Sequence, residues 1–335
     1  MNTPLKVSVI IPAFNCGRFL SETLNSVFAQ SFRDYEIVVV NDGSTDETEE
    51  VLRPYQSRLI YIVQPNKGLP AALNAGLKLA KGELIAILDA DDIWHPDKLK
   101  EQVRLLDEHP QVGLCFTNYT TFGGSQPTTS WFGNHDALVW KYPHRRVSDH
   151  NYLLTGPSVL LDLLTVQALP KPSSLMFRRK CIDRIGYFDE SLTFIQDTQI
   201  CLRMGKHFPF AFTDLCLLHR RIRENSLASI QSDRKYVLEH IHMLEKLGNW
   251  IDLTRAEKKA AEKLLAAYAF AAGYLDFAEY LLNSSRRHFW KSLKSAFGLK
   301  ALLYLGLTLF PKRILIALRL LKGRLAPAKA AIVNN

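Results

Sequence analysis

Three carboxylates lie close together in the sequence, directly after a run of apolar residues. Asp89, Asp91 and Asp92 follow residues 83–88, which are predicted to form a buried strand. Neighbouring carboxylates repel each other and cost free energy to desolvate, so such a cluster at a strand end is typical of a site that holds a cation. Magnesium or manganese is usually bound by one or two carboxylates together with substrate phosphates and water. The alternative is a solvated turn that caps the next helix, because Asp-Asp before Ile93 also suits a helix start.

The segments around this cluster alternate between apolar strands and helical patterns. The near-continuous apolar strands favour a mostly parallel sheet that is covered by helices on both faces. Each predicted strand ends in a polar loop, and such loops share one edge of a parallel sheet, where open α/β folds bind ligands. The predicted strands are residues 7–11, 35–40, 59–63 and 83–88, and the predicted helices are residues 18–30 and 69–80.

Five short motifs, the third in two parts, occur in order over about residues 5–230. They are VSVIIPAFN at residues 7–15, NDGSTD at 41–46, NKG at 66–68 with ALNAG at 72–76, DADDIW at 89–94, and FDESL at 188–192. This set resembles the inverting glycosyltransferases of family 2, which use nucleotide-diphosphate sugars. The resemblance implies a glycosyltransferase A-type fold, with a nucleotide-binding α/β half joined to an acceptor-side half. It also implies transfer of one sugar with inversion at the anomeric carbon.

The resemblance assigns several of these residues to a nucleotide-diphosphate sugar donor. Phe14 follows the first strand, where a nucleobase can stack on its ring, and Pro12 and Asn15 flank it in the same motif. The alternative for Phe14 is a core phenylalanine. Asp42, after the second strand, is predicted to accept the base N–H in a charge-assisted hydrogen bond. Uridine or thymidine diphosphate suits that contact, and guanosine diphosphate is not excluded.

The third loop and the aspartate cluster are assigned to the ribose and the phosphates. Lys67 is predicted to lie near a phosphate, and Gly68 lets the backbone approach the ligand closely, although Asn-Lys-Gly is also an ordinary turn. The resemblance places Asp89 near the ribose or base and Asp91 on a metal that bridges the two phosphates, with Asp92 sharing either task. The implied cofactor is Mn2+ or Mg2+, which neutralises the charge on the departing nucleoside diphosphate.

An inverting transfer also needs a base, because an acceptor hydroxyl is a poor nucleophile until its proton is removed. In the family this base is the aspartate of a Glu-Asp pair that follows a Phe-Asp-Glu segment, and here that position is Asp197. Gln196 stands where the family usually has glutamate. Losing that charge is expected to make Asp197 less basic unless burial compensates. The alternative is that Asp197 is the N-cap of the next helix.

A late basic segment, residues 217–227, resembles the family's stretch that precedes a loop over the diphosphate. Arg221 and Arg223 suit that task because the guanidinium fork matches phosphate oxygens. The alternative is a solvated basic face.

Length and composition predict three regions. The 335 residues accommodate a catalytic unit of about 230 residues and an added module. We predict a nucleotide-sugar-binding half at residues 1–118, an acceptor-side half at 119–231, and a helical region at 232–335, in which a capping box at residues 254–257 opens a helix. The five cysteines show no paired spacing, which indicates neither a disulfide framework nor a zinc site. The first predicted strand begins too early for a signal peptide, so a cytoplasmic setting is expected.

The carboxyl-terminal segment is strongly basic. Residues 280–335 hold eleven Lys and Arg residues and no acidic residue, so a whole-chain net charge of +9 leaves −2 for the first 279 residues. Its longest uncharged run, residues 301–311, is shorter than the roughly twenty residues that span a bilayer. Basic helices with an apolar face predict peripheral binding to the anionic inner face of the cell membrane. The alternative is a bundle that packs on the catalytic domain, and nucleic-acid binding is disfavoured because no binding motif accompanies the charge.

Two functional classes remain. The first is an enzyme that transfers a sugar from a nucleotide-diphosphate sugar to a saccharide or lipid-linked saccharide acceptor. The second is a catalytically inactive nucleotide-sugar-binding or scaffold protein, which the replacement at Gln196 motivates. We favour the enzyme because the aspartate cluster and Asp197 are both present. Consumption of a donor over time distinguishes the two.

Overall fold

A computed structural model describes residues 5–123, 130–133, 137–223 and 234–321, with side chains described as far as residue 316. The chain divides into two compact units, one up to Glu224 and one from Asn225 onward. The sequence had placed the start of the helical region at residue 232.

The first unit is built around one mixed sheet, which has ten strands within the described residues. The strands are β1 (Val7–Ala13), β2 (Tyr35–Asn41), β3 (Ile60–Val63), β4 (Leu84–Ile87), β5 (Ile93–Trp94), β6 (Leu114–Phe122), β7 (His144–Arg146), β8 (Asn151–Leu154), β9 (Leu175–Arg178) and β10 (Phe210–Arg221). Its helices are α1 (Gly17–Phe28), α2 (Thr48–Leu52), α3 (Leu69–Leu79), α4 (Lys98–Glu108), α5 (Val159–Val166), α6 (Lys180–Ile185) and α7 (Gln196–His207). Single-turn 3-10 helices occur at Leu138–Lys141 and Pro172–Ser174, and a longer one follows α2 at Arg53–Arg58.

The strand order of the sheet is β3-β2-β1-β4-β9-β6-β10-β8-β7, and β5 pairs with β10. The four strands expected to be parallel are parallel, and every residue of β1 and β4 is buried, as continuous apolar strands require. The second half of the sheet is mixed. Strand β9 lies antiparallel between β4 and β6, while β10 runs parallel to β6.

The register brings the carboxyl ends of the first strands together. Ala13 pairs with Asn41, and Asn41 pairs with Val63, so the loops that follow β1, β2 and β3 meet at one edge. Strand β5, which directly follows the aspartate cluster, pairs with β10, and Ile93 lies opposite His219. This pairing carries the arginines that follow His219 to the aspartate cluster.

The second unit is helical. Its helices are α8 (Arg234–Trp250), α9 (Arg255–Ala278), α10 (Leu282–Ser295), α11 (Leu299–Leu307) and α12 (Lys312–Leu321). The predicted capping box of α9 is confirmed, since Thr254 and Glu257 each accept a backbone N–H from the other. A buried Asp276 joins α8 to α10 by accepting hydrogen bonds from Arg234 Nε at 2.5 Å and His288 Nδ1 at 2.9 Å. Among the helices described, none combines the length and the hydropathy needed to cross a bilayer.

Candidate active site

The loop after β3 is held by the carboxylate of Asp42, which follows β2 and is 2 % exposed. Its Oδ1 accepts hydrogen bonds from Gln64 Nε2 at 2.7 Å and from the backbone N–H of Lys67 at 3.0 Å, and its Oδ2 accepts from the N–H of Gly68 at 2.9 Å. Gly68 has a φ of +90°, a backbone conformation that favours glycine. Each carboxylate oxygen can accept about two hydrogen bonds. Both oxygens of Asp42 already accept at least one, so the predicted contact with a nucleobase would be an additional hydrogen bond to one of them.

The residues after β1 lie at this edge and differ in exposure. The ring of Phe14 is 47 % exposed, so the alternative of a core phenylalanine is wrong. Asn15 has a φ of +49°, and its side-chain oxygen accepts a hydrogen bond from the N–H of Thr45 at 2.8 Å. Pro12 is buried within β1 and pairs with Val40, so it supports the loop from beneath. Lys67 is exposed. Donor contacts of these residues stay predictions.

The aspartate cluster follows β4, as expected, and its members have different surroundings. The backbone N–H of Asp89 donates to Ser173 Oγ at 3.0 Å, and Asp92 Oδ1 accepts the N–H of Arg221 at 2.9 Å. Burial, reinforced by the charges of Asp92 and Asp91, raises the pKa of Asp89 well above its usual range. Burial and then the charge of Asp91 raise the pKa of Asp92 to about 7. The cluster therefore stores mutual repulsion that an added positive charge relieves.

Arginines from the end of β10 already supply positive charge to Asp91. Nε of Arg223 lies 2.6 Å from Oδ2 of Asp91, as an ion pair rather than an aligned hydrogen bond. Arg221 instead donates to the backbone oxygen of Asp91 at 3.0 Å, pairs with Glu22, and stacks its guanidinium 4.4 Å from the ring centre of Phe122. Arg223 thus forms an ion pair with an aspartate side chain, and the positive charge of Arg220 opposes the rise in the pKa of Asp89 and of Asp92. Residues 224–227 of the predicted basic segment lie outside the described residues.

The carboxylates of the aspartate cluster fit a divalent cation whose remaining ligands come from a substrate. Within the described residues no three His, Cys, Asp or Glu side chains converge on one point, so an all-protein cage is absent there. Magnesium and manganese use one or two carboxylates and take the remaining ligands from phosphates and water. Asp91 meets that description, since its side chain is 14 % exposed and is already next to the cation of Arg223.

Asp197 lines a small cavity that is also lined by Asp89 of the aspartate cluster. Asp89, Asp197 and Gln196 line this cavity together with Leu69, Pro172 and Phe188. Helix α7 begins at Gln196, so Asp197 is in its first turn and is not the N-cap, which is Ile195. Burial raises the pKa of Asp197, and the nearby charge of Lys171 opposes that rise. The structure therefore brings the predicted base to the same cavity as Asp89 of the predicted donor site.

Two residues of this site were missed by the sequence analysis. Ser173 is fully buried in the single-turn helix before β9, where its backbone oxygen accepts a hydrogen bond from Trp94 Nε1 at 2.9 Å and its hydroxyl accepts from Asp89. Lys171 precedes it, and burial lowers the pKa of Lys171 while Asp197 opposes that change. Pro172 flanked by lysine and serine shows no periodicity or known spacing, so the local sequence contains no signal for either role.

The structure also explains why two of the motifs occur together. Asn74 of α3 donates from Nδ2 to the carboxylate of Glu190 at 2.9 Å and to the backbone oxygen of Phe188 at 3.0 Å, and its Oδ1 accepts the N–H of Phe188 at 2.9 Å. These bonds join ALNAG to FDESL and fix the loop that leads to α7. The motifs therefore position Asp197 at the cavity.

A family model described as Glycosyl transferase family 2 matches residues 8–153. The chain contains a family 2 glycosyltransferase domain. The chain is 44% identical over 189 residues to an uncharacterized glycosyltransferase of Nostoc sp., covering 55% of this chain and 54% of the relative. It is 36% identical over 115 residues to a UDP-Glc:alpha-D-GlcNAc-diphosphoundecaprenol beta-1,3-glucosyltransferase of Escherichia coli, covering 34% and 45%. The chain spans 64% and 54% of the length of two of the curated relatives that it matches, and 18% of another.

Solved structures show that the fold is shared with glycosyltransferases. S. aureus TarS in complex with UDP-GlcNAc has a TM-score of 0.63 at 22% identity, covering 87% of this chain and 81% of that one. A mannosyltransferase of Pyrobaculum calidifontis in complex with GDP-Man and Mn2+ has a TM-score of 0.58 at 17% identity, covering 99% and 84%. The family 2 domain thus has the glycosyltransferase A-type fold expected from the motif order.

Proposed function

We propose that the protein is a glycosyltransferase that moves a sugar from a nucleotide-diphosphate sugar to a saccharide or lipid-linked saccharide, with inversion. The observation that carries this proposal is that Asp89 and Asp197 line the same cavity. Asp89 lies at the sheet edge where Phe14 and the Asp42 loop present surfaces suited to a nucleotide. Asp197 lines the same cavity, which supports it as the base for an incoming hydroxyl.

The proposed donor is a nucleoside diphosphate linked to a sugar. The TarS structure contains UDP-GlcNAc and the Pyrobaculum structure contains GDP-Man, so proteins of this fold hold donors with either base. Here the exposed ring of Phe14 offers a stacking surface for a base. The backbone around Gly68 can approach a diphosphate closely, because no Cβ stands in the way.

In the proposed reaction, the oxygen of an acceptor hydroxyl forms a bond to the anomeric carbon as the bond from that carbon to the diphosphate oxygen breaks. Attack from the side opposite the leaving group inverts the anomeric centre. The hydroxyl proton moves to Asp197, and the electron pair of the broken bond leaves with the diphosphate. Burial raises the pKa of Asp197 and thereby compensates for the missing charge at Gln196, which supports Asp197 as a competent base.

Asp91, with Asp92 beside it, would hold a divalent cation together with the donor phosphates. The cation supplies Lewis-acid stabilisation of the charge that develops on the leaving diphosphate. The residues of the chain contribute separately. Arg223 pairs with the carboxylate of Asp91 and adds positive charge near the leaving group. The N–H of Arg221 fixes the orientation of the Asp92 carboxylate, and the hydroxyl of Ser173 holds the backbone N–H of Asp89.

The acceptor class rests on one relative. The Escherichia coli glucosyltransferase is named for an acceptor sugar that is linked to diphosphoundecaprenol, which is a lipid. We extend this class to the present chain as a proposal, so its acceptor is a saccharide, free or lipid-linked. Activity on a lipid-linked acceptor would place the protein at the cytoplasmic face of a membrane.

The test is donor consumption by the purified full chain. A panel of nucleotide sugars is first screened by thermal stabilisation with manganese, since a ligand at about a hundred times its dissociation constant adds about 2.7 kcal/mol of stability. Each stabilising donor is then incubated with saccharide acceptors, and the release of nucleoside diphosphate is followed over many turnovers. Sustained release with formation of an inverted product supports the proposal. Stoichiometric binding without release, across acceptors, would establish the inactive binding protein instead.

A further inference from the structure

Helix α11 presents an apolar face to solvent. Leu299, Leu302 and Leu303 are 75%, 48% and 63% exposed, and they recur at spacings of three and four residues, so they lie on one side of the helix. Gly306 continues this side by the same spacing, and Phe310, after the end of α11, is 47% exposed. Phe297, in the turn before α11, is also largely exposed. We call Phe297, Leu299, Leu302, Leu303 and Phe310 the α11 outer face.

The opposite side of α11 is the one that packs against the rest of its unit. Ala301 and Thr308 are buried, and the ring of Tyr304 contacts those of Tyr274 and Phe289 at centroid distances of 5.4 and 5.7 Å. Because this inner side is already packed, the helix cannot rotate to bury its outer face. Apolar residues on both sides of a surface helix are unusual, and a contiguous exposed apolar patch marks a binding surface.

Cations surround the outer face. Lys294 precedes it, Lys300 lies within it, and Lys312 and Arg313 follow it. Lys294, Lys300, Lys312 and Arg313 are at least partly accessible to solvent. No acidic residue occurs after Glu279, so nothing later in the chain neutralises this charge. The predicted cations Lys322, Arg324 and Lys329 lie outside the described residues.

We infer that the α11 outer face docks on an anionic lipid bilayer, with its leucines in the acyl boundary and its lysines among the headgroups. The leucines recur once per helical turn on one side of α11, and cations flank them. This composition is typical of a helix that lies in the plane of a membrane interface. A purely apolar protein partner would not require the cations, and an anionic surface attracts all of them at once. This inference goes beyond the proposed function and holds whether or not the enzyme turns over.

The first test is co-sedimentation of the full-length protein with vesicles of neutral phosphatidylcholine, with or without about 30 mol % anionic phosphatidylglycerol. The variant Leu299→Ser/Leu303→Ser removes two exposed leucines and should retain its fold. Its control is Leu138→Ser, because Leu138 is 48 % exposed and belongs to the other unit. We expect wild type to bind the anionic vesicles, the double variant to partition at least about tenfold less, and the control to match wild type.

The second test separates charge from apolar insertion. Lys294→Gln/Lys300→Gln removes two cations beside the outer face, and Lys258→Gln/Lys259→Gln removes two exposed cations of α9 as its control. The first pair should weaken binding to anionic vesicles several-fold at low salt, and that loss should disappear at about 0.5 M salt because the charges are then screened. The control pair should change binding less than the first pair.

Three outcomes would overturn the inference. One is the absence of wild-type binding to anionic vesicles. Another is equal binding by wild type and Leu299→Ser/Leu303→Ser when thermal unfolding shows both to be folded. The third concerns self-association, measured by sedimentation velocity. If wild type self-associates, Leu299→Ser/Leu303→Ser is monomeric and both bind vesicles equally, the outer face contacts a second copy of the chain instead of a membrane.

Discussion

At the scale of single residues, Asp197 is expected to control turnover without controlling donor binding. We predict that Asp197→Asn lowers the transfer rate by about 10²-fold or more, because the acceptor hydroxyl loses its base. The amide is nearly the same size as the carboxylate, so the cavity lined by Asp197 and Asp89 should persist. Initial rates and thermal shifts with donor measure the two quantities separately. A variant that turns over at the wild-type rate would move the base to another residue.

The neutral side chain of Gln196 is expected to set the pH at which that base works. Asp197 must be ionised to accept a proton, so the rate should fall as pH drops below its raised pKa. Gln196→Glu places a negative charge beside Asp197, which disfavours ionisation and should move the acidic limb of kcat/KM upward by about one pH unit. Ser191→Glu, at an exposed position of the preceding loop, is the control. Superimposable profiles for wild type and Gln196→Glu would contradict the prediction.

Asp91 is expected to make nucleotide binding depend on a divalent ion. Asn at this position keeps an oxygen but loses the charge that pairs with Arg223 and that a cation requires. We predict that Asp91→Asn binds nucleoside diphosphate at least about tenfold more weakly in manganese, and that chelator weakens wild type to a similar level. Titration calorimetry with manganese and with excess chelator gives both affinities. Equal wild-type affinity under the two conditions would remove the metal from the proposal.

At the scale of elements, Asp42 is expected to hold the loop between β3 and α3. Asp42→Ala removes the acceptor of the Lys67 N–H and one of the two acceptors of the Gly68 N–H, and losing hydrogen bonds to a carboxylate costs about 1–3 kcal/mol. We predict a loss of stability in that range together with weaker donor binding, because the backbone near the diphosphate is released. Urea denaturation and donor titration measure these effects, with the exposed Asp34→Ala as the control. Unchanged stability would show that the loop is held by other contacts.

At the scale of the whole molecule, the stability of the first unit is expected to depend on pH through Lys98. This lysine is fully buried, with Nζ 2.6 Å from Gln102 Oε1 and 4.0 Å from the ring centre of Trp94. Burial lowers the pKa of Lys98 from its ordinary value of 10.5 to about 7. The unfolded chain therefore binds more protons than the folded chain between these pH values, and stability attributable to this group rises with pH across that window.

The comparison with Lys98→Met isolates that contribution. The variant cannot titrate at this position, so the free energy of unfolding of wild type relative to Lys98→Met should rise by about 2 kcal/mol between about pH 7 and about pH 9. Other titrating groups largely cancel because both proteins contain them. Urea denaturation at the two pH values supplies the four free energies. A pH-independent difference would mean that Lys98 is charged in both states or neutral in both.

Local pattern in the sequence determined the early strands and helices, the loops that follow them and the location of the aspartate cluster. These features depend on apolar periodicity and on neighbours along the chain, which is why the parallel order of β1 to β4 and the capping box of α9 were predicted. The family motifs added Asp197. Apolar and basic residues after Glu279 were visible as well, although their alternation alone left membrane binding and bundle packing both open.

Tertiary structure decided what depends on distant residues meeting. Insertion of β9 between β4 and β6 brings Ser173 to Asp89, and the pairing of β5 with β10 brings Arg223 to Asp91 across more than a hundred residues. No local spacing encodes either contact, because burial and charge pairing act between elements rather than along them. The same reason applies to α11. Both sides of α11 carry apolar residues in the sequence. Because Tyr304 packs against Tyr274, the side with Leu299 and Leu303 faces solvent.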